Sequence, residues 1–198
     1  MNTPNKLTLA RMIATPVFMA VMLISGLPFR FLISLILFAA ASLTDMIDGK
    51  MARKYNLITD FGKFLDPLAD KMLTTAAYLG FIFIFAGTKY CWHMVAIVFI
   101  VLFREFMVSS IRLVVVSSGG KVIAANIWGK CKTVSQMVGI VVALFLCSLV
   151  FDFGLRAPMF VGIVQLVIVG LFWISAILCV ISGVIYLMDS KEFINPLK

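Results

Sequence analysis

Six long apolar stretches, near residues 10–27, 30–49, 66–87, 92–116, 134–152 and 157–187, constrain this chain more than any other feature. Crossing a hydrocarbon core of about 30 Å takes roughly 20 helical residues, and each stretch meets or approaches that length. With 63% hydrophobic residues and mean hydropathy +1.11, a water-soluble fold would expose apolar surface that soluble domains rarely carry. A bilayer solvates that surface, provided that every backbone polar group is satisfied inside helices. The reading is an all-α membrane protein: six transmembrane helices in one domain spanning 1–198, with no repeat or linker dividing it.

The cations supply the orientation. Lys6, Arg11, Lys50, Arg53, Lys54, Lys63, Lys71, Arg112, Lys121, Lys130, Lys132, Lys191 and Lys198 lie at the N-terminus, in the second and fourth loops and at the C-terminus. The remaining loops hold Arg30, Lys89 and Arg156, and Arg104 falls within a span. The positive-inside rule therefore places both termini in the cytoplasm. The net charge of +8 follows this topology and forms no soluble basic face, so no nucleic-acid partner is expected. Cys91, Cys131, Cys147 and Cys179 form no CxxC pair and suggest neither disulfides nor a thiolate metal site. Residues 1–10 are expected to form a short interfacial helix, with Asn5, Thr8 and Arg11 along one side as candidate substrate contacts.

Five of only nine acidic residues fall within 26 positions: Asp45-x2-Asp48-Gly49-x2-Ala52-Arg53, then Asp60 and Gly62-x3-Asp66-x3-Asp70. On helices, Asp45 and Asp48 share one face, and so do Asp66 and Asp70. Carboxylates at the edge of a hydrocarbon core cost several kcal/mol each and repel one another unless a cation sits among them. Oxygen ligands in this number suit Mg²⁺ or Mn²⁺, as one ion or as a pair about 3.5–4 Å apart. Gly49 and Gly62 permit close backbone approach, and the Arg53 guanidinium can grip phosphate oxygens in bidentate fashion. A solvated, salt-bridged loop or a carboxylate ion path in a transporter would also use the acids. The transporter leaves the Gly49, Ala52 and Arg53 pattern without a purpose.

The pattern D-x2-D-G-x2-A-R-x8-G-x3-D-x3-D resembles the signature of the CDP-alcohol phosphotransferase family, met here by Asp45, Asp48, Gly49, Ala52, Arg53, Gly62, Asp66 and Asp70. The resemblance implies a homodimeric, metal-dependent transferase with its site open to the cytoplasm. It implies that Asp45, Asp48, Asp66 and Asp70 hold two metal ions, that Asp70 is also the general base, and that Gly49, Arg53, Thr59 and Gly62 contact the cytidine diphosphate group.

The acceptor alcohol must be read elsewhere. Glu105, Ser109 and Arg112 fall on one side of a helix beside Arg104, and Lys130 and Lys132 follow at the mouth of the fifth span. Arg104, Arg112, Lys130 and Lys132 are the candidate ligands of an acceptor phosphate. Arg104 could instead pair with an acidic neighbour, and the lysines could serve topology alone. Pro4-Asn5-x-Leu7-Thr8-x2-Arg11, Thr59-Asp60-Phe61-Gly62-Lys63, Arg104-Glu105-Phe106 and Gly129-Lys130-x-Lys132-Thr133 resemble family members that join CDP-diacylglycerol to sn-glycerol 3-phosphate. That likeness implies an enzyme of phospholipid synthesis in a bacterial inner membrane. Within the family, a cardiolipin synthase or an inositol-phosphate or serine transferase is the alternative; outside it, a cation transporter.

Overall fold

The computed structural model describes residues 3–54, 60–117 and 127–194, with side chains described for 6–44, 65, 68–115 and 127–191. All regular structure among the described residues is helical. The six helices are α1 (Thr3–Leu23), α2 (Arg30–Lys54), α3 (Asp60–Ile84), α4 (Cys91–Ser117), α5 (Ile127–Cys147) and α6 (Pro158–Ile194). A π-helical turn, Ser148–Asp152, continues α5.

Four of them, α1, α4, α5 with its π-helical turn, and α6, carry windows long and apolar enough to cross a membrane. In α2 the apolar stretch among the described residues is Arg30–Thr44, and the acids and lysines of the signature follow it. α3 carries its charged residues in its first half. The expected separate interfacial helix is absent: residues from Thr3 onward run without a break into α1. Thr8 and Arg11 are buried against the bundle while Lys6 is exposed, so packing rather than an interfacial turn continues the helix.

Aromatic residues fill the core. Phe18 of α1 meets Phe38 of α2 with ring centroids 5.8 Å apart, and Tyr78 and Phe81 of α3 both pack on Phe172 of α6, at 4.9 and 5.1 Å. Phe81 and Phe85 are buried while Phe83 faces outward, so the phenylalanine run divides between core and periphery. Small residues bring helix axes close. A Cβ on Gly80 would lie 2.7 Å from Met22 Sδ, and one on Gly183 would lie 3.0 Å from Arg104 Cγ. At the other end of α4, His93 Nδ1 accepts a hydrogen bond from Trp173 Nε1 at 3.4 Å, and its ring lies 6.2 Å from Tyr90.

Candidate active site

Asp45 and Asp48 lie on the last turns of α2, and Asp66 and Asp70 on the first turns of α3. Successive helices alternate in direction, which brings these segments to one end of the bundle. The side chains of Asp45, Asp48, Gly49, Arg53, Gly62, Asp66 and Asn5 lie outside those described, and Thr59 lies outside the described residues altogether. Asp70 is half-buried, and its backbone carbonyl accepts a hydrogen bond from Thr74 Oγ1 at 3.1 Å.

Helix register fixes the heights of the other candidates. Counting seven residues along the antiparallel pair from the Phe18–Phe38 contact brings Arg11 level with position 45. Arg11 and Thr8 are buried on the inner face of α1, and Thr15 Oγ1 donates to the Arg11 carbonyl at 3.0 Å. Ser42 Oγ contacts Met137 Sδ at 3.8 Å, and Phe31 packs on Phe151 at 5.2 Å, which aligns α2 antiparallel to α5. Lys132 then stands level, within a turn, with position 48 of α2.

At this height four helices contribute to one polar cluster around Glu105 of α4. Its Oε1 accepts from Lys132 Nζ of α5 and from Arg104 Nη1 at 3.2 Å, while its Oε2 is 4.0 Å from Lys71 Nζ of α3. Lys71 also donates to Ser109 Oγ, and Arg104 Nη2 donates to Ser182 Oγ of α6 at 2.7 Å. Gly183, next to that serine, gives Arg104 the room to lie along α6. Three of the four ionic side chains are largely withdrawn from the surface, with 8% of Lys132, 12% of Arg104 and 17% of Glu105 accessible, while 36% of Lys71 is.

Three cations meet one carboxylate among these described side chains, at the height of the aspartate-bearing ends of α2 and α3. Arg104 Nε is buried with no hydrogen-bond partner, a donor left open.

Of the four cations expected around an acceptor phosphate, the structure gathers Arg104 and Lys132. Arg112 and Lys130 are exposed. Arg104 does pair with its acidic neighbour, as one reading of the sequence allowed, and that pairing ties it to the cluster. Sequence reasoning counted Lys71 only as a loop cation, although it directly follows Asp70. It also left Glu105 without a role as the hub; the Arg104-Glu105 pair within an apolar span was the available signal.

The profile for CDP-alcohol phosphatidyltransferase matches residues 1–181. A CDP-diacylglycerol--glycerol-3-phosphate 3-phosphatidyltransferase of Bacillus subtilis (strain 168) is 43% identical over 162 residues, covering 76% of this chain and 80% of that protein. One of the same name from Rickettsia bellii (strain RML369-C) is 35% identical over 198 residues, 97% of each chain. A probable phosphatidylglycerophosphate synthase of Mycobacterium tuberculosis (strain CDC 1551 / Oshkosh) is 35% identical over 187 residues, 92% of this chain and 85% of that one. A helical membrane chain with this signature, matched over nine-tenths of its length, belongs to the CDP-alcohol phosphatidyltransferase family.

Proposed function

We propose that the chain transfers the phosphatidyl group of CDP-diacylglycerol to sn-glycerol 3-phosphate, giving phosphatidylglycerophosphate and CMP. The observation that carries the choice of acceptor is the Lys71, Arg104 and Lys132 cluster. Its three cations, one of them next to Asp70 in the chain, offer charge-assisted hydrogen bonds of the kind a phosphate monoester accepts. A neutral alcohol would need no such cluster. The relatives are named for the same donor and acceptor.

In this reading Asp70 accepts the proton of the acceptor's primary hydroxyl. The oxygen so released attacks the phosphorus bonded to diacylglycerol; the new O–P bond forms as the bond to CMP breaks. Lys71 and Lys132 hold the acceptor's phosphate, with Arg104 fixing Glu105 among them. Arg53, Gly49, Gly62 and Thr59 take the cytidine diphosphate, and Arg11 and Thr8, with Asn5, line the α1 side of the same end. The α2 and α3 backbones carry four carboxylates to one end of the bundle with oxygen as their only donor, a set that fits Mg²⁺ or Mn²⁺. Asp45, Asp48, Asp66 and Asp70 would hold two such ions, and the charge they supply when bound offsets that developing on the pyrophosphate.

The rest of the reading extends the same frame. All six helices cross the bacterial inner membrane with both termini and the aspartate end in the cytoplasm, a topology supported by the lysine and arginine asymmetry. The homodimer rests on the family resemblance, and the mass of the detergent-solubilised protein tests it.

The deciding experiment supplies purified protein with CDP-diacylglycerol and Mg²⁺ and offers glycerol 3-phosphate, phosphatidylglycerol, inositol phosphate or serine in turn. CMP release should depend on glycerol 3-phosphate. Release with phosphatidylglycerol instead would make the protein a cardiolipin synthase, and ion flux without CMP would make it a transporter.

A further inference from the structure

At the end of the bundle away from the aspartates, the loop between α1 and α2 meets the segment that follows α5. Arg30 opens α2 there, about 22 Å along the helix axis from position 45. A cavity of about 290 Å³ lies between the two segments, lined by Ser25, Phe29, Arg30, Phe151, Asp152 and Arg156 among others. Only three lysines and arginines fall in the loops at this end, Arg30, Lys89 and Arg156, and the fold brings two of them, 126 residues apart in sequence, to one cavity.

Both guanidiniums are available. That of Arg30 lies over the ring of Phe31, 4.6 Å from its centroid, and 5.8 Å from that of Phe151, which fixes its plane without using its donors. Asp152, the one carboxylate of the lining, is engaged elsewhere: its Oδ2 accepts the Leu32 N–H at 2.9 Å and satisfies an otherwise orphaned donor in the first turn of α2. No ion pair involves Arg30 or Arg156 among the described residues. The cavity thus keeps a surplus of one positive charge. Its rim is apolar and outward-facing, with Phe29, Phe153 and Leu155 all about half exposed where apolar helices end. The Phe29 and Phe153 rings pack edge to face at 5.9 Å.

We propose that this cavity binds the headgroup of an anionic glycerophospholipid, its phosphodiester on Arg30 and Arg156 and its acyl chains along Phe29, Phe153 and Leu155. The volume holds about ten waters' worth of space, enough for a phosphate and a small polyol, at roughly 30 Å³ per water. Guanidiniums supply the bidentate fork that a phosphodiester accepts. Asp152 Oδ1 and Ser25 offer acceptors to headgroup hydroxyls, which a choline head lacks. The apolar rim selects a lipid over a free anion, which would gain nothing from it.

Native mass spectrometry of the full chain, titrated in detergent with dioctanoyl phosphatidylglycerol, dioctanoyl phosphatidylcholine or inorganic phosphate, tests this. Phosphatidylglycerol should bind the wild type saturably, and R30Q/R156Q should weaken that binding about ten-fold or more, as expected for losing charge-assisted hydrogen bonds. CMP release should be unchanged in the variant. R156Q alone alters an exposed loop residue and should weaken binding at least about three-fold, so it decides the matter if the double variant does not fold. Equal binding by wild type and R156Q, equal affinity for phosphatidylcholine, or full displacement of the lipid by inorganic phosphate would overturn the proposal. Loss of CMP release in R156Q would overturn it as a site separate from the reaction.

Discussion

A single carboxylate, Glu105, holds Lys71, Arg104 and Lys132 in one place, and its removal should be felt twice. Glu105→Gln leaves the withdrawn Arg104 and Lys132 facing one another beside Lys71, and breaking such a buried pairing costs about 3–5 kcal/mol. Inorganic phosphate should restore part of that loss in a thermal-unfolding measurement, because it replaces the missing anion; no recovery would mean that the cluster binds no phosphate. Lys132→Ala should raise the KM for glycerol 3-phosphate about ten- to hundred-fold while that for CDP-diacylglycerol barely moves, since a hydrogen bond to a charged group contributes roughly 1.5–3 kcal/mol. Arg112→Ala, on an exposed side chain, should do less than Lys132→Ala in the same assay; the reverse order would shift the acceptor site toward the mouth of α4. The aspartate signature is legible in sequence because its spacing is local to one helix-loop-helix. The cluster is not, because α3, α4, α5 and α6 assemble it from residues between 27 and 111 positions apart. Composition offers no signal for such a meeting.

Among the helices, apolar runs show which segments cross but not where helices end. α5 as described opens at Ile127, so Lys130 and the buried Lys132 lie on helical backbone ahead of the apolar stretch near 134. α6 as described runs through Ile194, carrying Asp189 and Lys191 beyond its apolar stretch. The cap on α2 was beyond sequence reasoning: its donor and acceptor, Leu32 and Asp152, are 120 residues apart. Asp152→Ala should lower stability by about 1 kcal/mol in chemical denaturation, the usual cost of a lost cap. The α4–α6 contact is set by Gly183, where a larger side chain would meet Arg104 and Met107 at 3.0 and 3.2 Å. Gly183→Val should therefore destabilise by about 1–3 kcal/mol through overpacking. It should also raise the glycerol 3-phosphate KM by moving Arg104 off Ser182; a stability loss without a KM change would separate Arg104 from the acceptor site.

For the whole molecule, the helices place the aspartates and the arginine-lined cavity at opposite ends. Native cysteines report on this arrangement: Cys91 opens α4 at the arginine-cavity end, and exposed Cys131 lies in α5 at the aspartate end. In sealed vesicles an impermeant maleimide should label Cys131 only from the cytoplasmic side and any accessible Cys91 only from the other. The class of fold was legible because 63% apolar composition leaves a chain of this length no soluble alternative. The central claim is that the aspartates and the Glu105 cluster form one active site with Asp70 as its base. Glycerol 3-phosphate-dependent CMP release by Asp70→Asn, measured beside glycerol 3-phosphate binding, tests it most directly. Release should fall by at least about 10²–10⁴ while binding persists. Near-normal turnover by the variant would contradict the account.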